Sequence, residues 1–382
     1  MHRKISEQGT VVSPRIVASA LLLVCTVLLS CYSFAQTNRL SPEKRAQLES
    51  TISGFMVKNN LPGISIAVVE DGEYEWSKGF GMADLENFVP ATPQTLYRLA
   101  SISKPITATA AMLLYERGEL DLDLPVQKYC PAFPVKDSPI TTRQLLGHLG
   151  GIRHYRSQSI YDDPEIISTK HFDDPIAAGL NFFKDDPLIA KPGTKFSYST
   201  HGYTLVGCVI EGASGQKYVD FVRKNVLQPA GMTHTRIDER LAIVPYRTRF
   251  YSKDASGTVV NAEPVDVSFK IPGDGWLSSV EDVARFEVAI LHDHLLARST
   301  RTLMWTPQQT SDGKETTYGL GWEIGNGFAP TINHGGGEWG TSTFIMMAPK
   351  QRAGVVVLIN LNGDHLASDL APELMKIVLG ER

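Results

Sequence analysis

Two pairs of strand-like runs, one near each end of the chain, constrain the fold more than any other feature. Near the start, ISIAVVEDGEYEWSKGFGMAD (residues 64–84) is two β-rich segments joined by Asp71-Gly72, a dipeptide suited to a two-residue hairpin turn. Near the end, STFIMMAPKQRAGVVVLINL (residues 342–361) repeats the design around a short polar turn, and the helical run SDLAPELMKIVLG follows. A helix is also expected before the first pair, in SPEKRAQLESTISGFMVKN: Ser41 is an N-cap, Pro42 sits at N1, and Leu48, Ile52 and Phe55 recur at helical spacing. Hairpins at both ends with helices beside them imply an antiparallel sheet built from the two ends of the chain.

The middle reads differently. From about Pro131 to Glu263, helical pieces such as TTRQLLGHL and YVDFVRKNVL alternate with Pro, Gly and Asp clusters. The fold class expected is α/β (α+β), an antiparallel sheet flanked by helices with a mainly helical insertion packed against it. One domain covers residues 40–382, its α/β part about 40–130 and 264–382 and its helical part about 131–263. The groove between the parts is the natural pocket.

The N-terminus precedes this domain. His2, Arg3, Lys4 and Arg15 lead into IVASALLLVCTVLLS, Ile16 to Ser30, shorter than the ~20 residues a membrane span needs and suited to a signal-peptide core. Ser33 and Ala35 are small at −3 and −1 to a cut before Gln36, making residues 1–35 a signal peptide. LLSC also fits a lipobox, with Cys31 lipidated, and an uncleaved anchor is the third reading. Each places the protein outside the cytoplasm, periplasmic or extracellular, with membrane contact only through this segment or a lipid on Cys31.

The formal net charge is −4, and the leader would remove three cations against one anion, leaving the remainder more acidic. With no long basic stripe, nucleic acid is not an expected partner. Of four cysteines, Cys130 and Cys208 lie beyond the leader. They either form one bridge or stay as buried thiols.

HGGGEWG, His334 to Gly340, resembles the oxyanion-hole segment of α/β-hydrolases, but those need a G-x-S-x-G nucleophile elbow, and the chain has none. The alternative nucleophile is Ser-x-x-Lys, present at Ser41, Ser101, Ser214 and Ser311. Ser41 caps a surface helix, and Ser214 and Ser311 lie in glycine-containing turns. SISKPITATAAMLLYERG differs, because an extended TLYRLA leads into an apolar helix whose first turn holds Pro105. Ser101 then feels the positive end of the helix dipole, with Lys104 three residues on and on the same face. A lysine held there in a dry pocket has a depressed pKa and can take the serine proton. Taken in isolation, the same pattern also describes an N-cap serine followed by an exposed lysine.

Two further segments complete a set. KPGTKFSYSTHGYTLVG centres on Tyr198-Ser199-Thr200, and a polarised tyrosine can relay protons. The glycines of HGGGEWG, on an edge strand before TSTFIMMAP, would let a substrate backbone approach and pair.

In this order and spacing the three segments resemble the penicillin-recognising serine hydrolases: class C β-lactamases, D-alanyl-D-alanine carboxypeptidases and related esterases. LLGHLGGIRHY, GWLSSVEDVARF and QPAGMTHT resemble further segments of that superfamily, and GIRHY and YST resemble the mitochondrial serine β-lactamase-like proteins and their bacterial relatives. The resemblance implies a β-lactamase/penicillin-binding-protein-like fold and an acyl-enzyme mechanism on peptide, amide or ester substrates. It makes Ser101 the nucleophile, Lys104 the base and Tyr198 the proton shuttle, with the N–H groups of Ser101 and Gly337 as oxyanion hole. Thr200, His334, Gly335, Gly336 and Gly337 are the expected substrate-binding residues, and no metal or cofactor is expected.

Two departures bear on specificity. Thr200 stands where the family has Asn, and His334-Gly335 where it has Lys and a hydroxyl residue. Both weaken amide and carboxylate recognition more than acyl transfer, so peptide or ester substrates gain over penicillin. If a charge on His334 aids binding, activity falls as pH rises through its titration. A true β-lactamase, a D-alanyl-D-alanine carboxypeptidase and a non-catalytic binding or filament-forming module are the alternatives.

Overall fold

The computed structural model describes residues 40–157, 164, 167, 170–363 and 365–381. The signal-peptide, lipobox and anchor readings therefore lie outside the described residues. Among the described residues, no helix is long and apolar enough to cross a membrane.

Helix α1 (Pro42–Asn59) starts as its sequence requires, with the Ser41 hydroxyl accepting from Lys44 N at 3.2 Å and Pro42 in the first turn. Strands β1 (Gly63–Glu70) and β2 (Glu73–Asp84) form the first hairpin. Asp71 and Gly72 both have positive φ, 54° and 83°, the twist a two-residue hairpin turn needs. A short β3 (Val89–Pro90) borders β2. Helix α2 (Ser103–Glu116) and helix α3 (Thr200–Ser214) follow, then α4 (Val280–Leu291). Strands β4 (Glu323–Asn326), β5 (Pro330–Glu338), β6 (Thr341–Ala348) and β7 (Ala353–Ile359) complete the sheet, and α5 (Leu366–Leu379) ends the fold.

The seven strands run antiparallel in the order β3-β2-β1-β7-β6-β5-β4. The two ends of the chain meet at β1 and β7, where Ile66 faces Val357 and Ala67 faces Val356. Both faces of the central strands are covered, which is why their sequences are continuous apolar runs rather than alternating ones. Ile64, Ile66 and Val68 join Phe344, Met346, Val355 and Val357 in one core with α1 and α5. Ala67, Val69, Ile345, Met347, Val356 and Leu358 face the other core, with α2, α3 and α4. Each such branched or aromatic side chain contributes about 1.5–3 kcal/mol by burial.

The helical part also contains the short helices Thr142–Leu146, Pro175–Asn181 and Tyr218–Val222. It carries small strands as well: Arg236–Ile237 beside Trp276–Ser278, and Tyr251–Lys253 paired with Val259–Asn261. Helix α2 packs against α3 and the short helix Ile271–Asp274, among the helices of the middle segment rather than with the sheet strands that precede it. Its apolar, alanine-rich sequence allows that central position, since almost every residue from Ser103 to Leu114 is buried. Cys130 and Cys208 form a disulfide that ties α3 to the segment after α2.

Candidate active site

The strand residues Tyr97 and Arg98 pair with Ser278 and Leu277, and Leu99 N donates to Trp276 O at 2.8 Å. Two threonines of β6 hold the same segment from the other side: Thr341 Oγ1 donates to Arg98 O at 3.1 Å and Thr343 Oγ1 to Leu99 O at 2.8 Å. Ala100 then takes φ 48°, a left-handed conformation that costs an L-residue about 1–2 kcal/mol. The resulting sharp turn sends the chain through one 3₁₀ turn, Ala100–Ile102, into α2 and puts Ser101 at its entrance.

Strand β5 passes directly beside this turn. A Cβ on Gly336 would lie 2.4 Å from Leu99 O and 3.0 Å from Ser101 N, so only glycine lets the strand approach the nucleophile. A Cβ on Gly337 would meet nothing within 4 Å. Pairing of β5 with β4 stops at Asn333, leaving His334–Gly337 unpaired on that edge. The open edge expected for HGGGEWG is present over the residues that matter.

Lys104 is fully buried, and its Nζ has three acceptors: Ser101 Oγ at 2.7 Å, Thr200 Oγ1 at 3.0 Å and Gly273 O at 3.0 Å. Three elements thus converge on one amine: the 3₁₀ turn Ala100–Ile102, the first residue of α3 and the short helix Ile271–Asp274. Burial pulls the amine down to about 7, with Asp274 acting in the opposite direction. A neutral amine there can keep donating to Thr200 and Gly273 while accepting the Ser101 proton.

Tyr198 is half-buried, its ring centroid 4.7 Å from Lys104 Nζ. Burial raises its phenol well above the ordinary value; the hydrogen bond to Ser101 acts the other way and is outweighed. Tyr198 is therefore a neutral hydroxyl beside Ser101, and Lys104 is the neighbour whose amine is lowered toward neutrality. The residue after it, Ser199, caps α3 by accepting from Gly202 N at 2.9 Å, and its own hydroxyl donates to Arg153 O at 2.7 Å.

His148 and His154 hold this segment in place. Ser199 N donates to His148 Nδ1 at 3.1 Å, and Thr200 N donates to His154 Nδ1 at 3.3 Å. Both rings act as acceptors and must be neutral to do so. Their surroundings agree: burial first, then the Lys104 charge, lowers His148 well below its usual value and His154 to about 3.

The structure corrects the expectation for His334. Its side chain is only 1% exposed, and burial together with the Lys104 charge depresses it to about 3. Nδ1 lies 2.7 Å from Gly335 O, which can only accept, so the proton sits there and Nε2 accepts from Tyr318 OH at 2.7 Å. His334 offers substrate no titratable charge; it braces β5 from behind. Thr200 is likewise buried, its hydroxyl accepting from Lys104, which makes it a support for the base rather than a surface for substrate. Gly335 and Gly336 are half-buried and Gly337 is exposed, so these three remain at the open edge.

Sequence reading missed His148, His154, Tyr318 and a buried group formed by Lys270, Asp274 and Glu338. The last lies just behind Lys104, with Lys270 Nζ 2.8 Å from Asp274 Oδ2 and hydrogen-bonded to Glu338. Among the described residues, no group of three or more His, Cys, Asp or Glu side chains is arranged to hold a metal ion.

Comparison with known proteins places the chain and its fold in a family. The beta-lactamase family model matches residues 48–379. The human mitochondrial serine beta-lactamase-like protein LACTB is 31% identical over 380 aligned residues, which span 76% of this chain and 69% of that protein. Protein flp of Staphylococcus aureus is 29% identical over 86% of this chain and 65% of its own. An octameric penicillin-binding protein homologue from Pyrococcus abyssi superposes with a TM-score of 0.74 at 29% identity, covering 88% of this chain and 78% of that one. With the family model matched over most of the chain and the fold shared with these relatives, the chain belongs to the beta-lactamase family of serine hydrolases.

Proposed function

We propose that the protein is an exported serine hydrolase that forms an acyl-enzyme on Ser101 from peptide, amide or ester substrates. The observation that carries this reading is the 2.7 Å contact between Ser101 Oγ and a buried Lys104 amine lowered to about 7. Lys104 takes the Ser101 proton as the oxygen attacks the carbonyl carbon. The tetrahedral oxyanion is received by the N–H groups of Ser101 and Gly337, and the neutral Tyr198 hydroxyl passes a proton to the leaving group as it takes back the one held by the Lys104 ammonium. Water then attacks the ester by the reverse sequence. An oxyanion-hole donor is typically worth ~10²–10³ in rate. Export is supported by the N-terminal apolar run and by the Cys130–Cys208 bridge, which persists in oxidising compartments. Attachment to the membrane would be through the leader or a lipid on Cys31.

Penicillin and carboxylate-ended peptides are disfavoured as natural substrates. His334 stands in the place of the family's cationic residue and is neutral, and the nearby Glu323 carboxyl, although raised by burial, interacts with Lys104. A panel of p-nitrophenyl esters, amino-acid amides, D-Ala-D-Ala peptides and nitrocefin, run with Ser101→Ala as control, tests the reading. Turnover of esters or amides that vanishes in the variant is expected. Turnover unaffected by the substitution, or nitrocefin as the best substrate by far, would contradict it.

A further inference from the structure

Lys270, Asp274 and Glu338 are 0%, 3% and 1% exposed, one cation and two carboxylates shut away from water. Stability is a weak reason to keep such a group, because well-packed apolar residues commonly do as well or better, and a role in fixing registry is the better-attested use. The connections of this group supply that registry. Lys270 precedes the short helix Ile271–Asp274, whose Gly273 carbonyl accepts from Lys104. Its ammonium binds Asp274 on that helix and Glu338 at the end of β5. Glu338 immediately follows Gly337, and its other oxygen accepts from Trp339 N at 2.8 Å. Lys270 also lies over the Tyr155 ring, 5.3 Å from its centroid, and Tyr155 stacks on His154, which accepts from Thr200 N.

We infer that Lys270, Asp274 and Glu338 form a positioning cluster that locks the support of the base, Gly273, to the strand end that carries the Gly337 N–H, with the Asp274 carboxyl set beside the Lys104 site. The inference rests on the acyl-enzyme reading above. The hydrogen bonds and ion pairs of the cluster described above do not include Ser101; it acts through Lys104 and β5. Burial opposes the charge on Lys270, but the two carboxylates outweigh it and hold the ammonium. Burial also works against ionisation of Glu338, and Lys270 outweighs it there, whereas at Asp274 burial outweighs the Lys270 charge and, with the Glu338 charge, moves the carboxyl upward. Asp274 is the main group favouring the Lys104 ammonium, with Glu323 adding to it and Lys270 opposing. The other groups facing Lys104 are the Tyr198 and Tyr203 rings and the neutral His148, His154 and His334.

The test is the pH dependence of Ser101 labelling by a fluorophosphonate in the full chain and in Asp274→Asn and Glu338→Gln. In Asp274→Asn the acidic limb is expected to move to lower pH by about one unit, because a negative charge that holds the proton on Lys104 is gone. In Glu338→Gln the labelling rate is expected to fall ten- to a hundredfold, since displacement of a reacting group by about 1 Å costs on the order of 10² in rate. A purely structural cluster would change melting temperature without moving the limb. Unchanged limb and rate in both variants would overturn the inference while leaving labelling of the wild type intact. Absence of Ser101 labelling in the wild type would instead overturn the acyl-enzyme reading, and this inference with it.

Discussion

The Tyr318 hydroxyl donates to His334 Nε2 at 2.7 Å, and this contact holds the buried, neutral ring as a brace behind β5. Because His334 is neutral, its titration leaves no limb in the pH–rate profile between pH 5 and 8. Tyr318→Phe is expected to cost about 1–3 kcal/mol by leaving Nε2 buried without a partner. His334→Lys is expected to destabilise more, since it buries a second ammonium near Lys104. Thermal melts and pH–rate curves of the two variants check this.

Burial of three neutral histidines makes the fold acid-sensitive. His148, His154 and His334 are all depressed by burial, so between pH ~6.5 and the folded values the unfolded chain binds more protons. Stability is therefore full above about pH 6.5 and is lost as pH falls, with a slope approaching 1.4 kcal/mol per pH unit for each histidine. Denaturant unfolding from pH 7 to 4.5 measures the slope, and it should shrink in His154→Gln.

Glu287 works in the opposite sense. It is fully buried on α4 against Gly354 of β7, and neither carboxyl oxygen has a hydrogen-bond partner among the described residues. Burial raises its pKa well above the ordinary carboxyl value, so the folded state keeps a proton that the unfolded state releases above pH ~4.3. Its contribution is complete below that pH and declines as pH rises. Glu287→Gln should gain stability over the wild type by an amount that grows from pH 5 to 8. A constant difference would contradict the assignment.

Of the three glycines of β5, Gly336 is required and Gly337 is free. Gly336→Ala drives a methyl into Leu99 O and the Ser101 turn, and kcat/KM is expected to fall by at least ~10²-fold. Gly337→Ala enters open space and keeps its N–H, so the loss should stay within a few-fold. Steady-state kinetics on one ester substrate compares the two.

Much of this was legible in the sequence, for physical reasons that also mark where legibility ended. The sheet could be read because β1, β6 and β7 are largely apolar runs, and β2 follows β1 across the Asp71-Gly72 turn. Ser101 and Lys104 could be read because one helical turn places them together, and Ser41 and Pro42 because caps are local. Whether Cys130 met Cys208 was open, since their separation of 78 residues says nothing about distance in space. The neutrality of His334 depends on its burial and on Lys104, far away in the sequence on a different element. His148 and His154 act on backbone N–H groups about fifty residues away. The Lys270–Glu338 contact spans 68 residues, and each partner alone reads as an ordinary surface charge.

The central claim is that Ser101 is the acylated residue and that Lys104 activates it. Incubating the purified protein with a fluorophosphonate and mapping the adduct by mass spectrometry tests it most directly. One adduct on the Ser101 peptide is expected, appearing faster as pH rises through about 7 and lost in both Ser101→Ala and Lys104→Met. An adduct on another residue, or labelling of Ser101 that proceeds unchanged in Lys104→Met, would contradict the account.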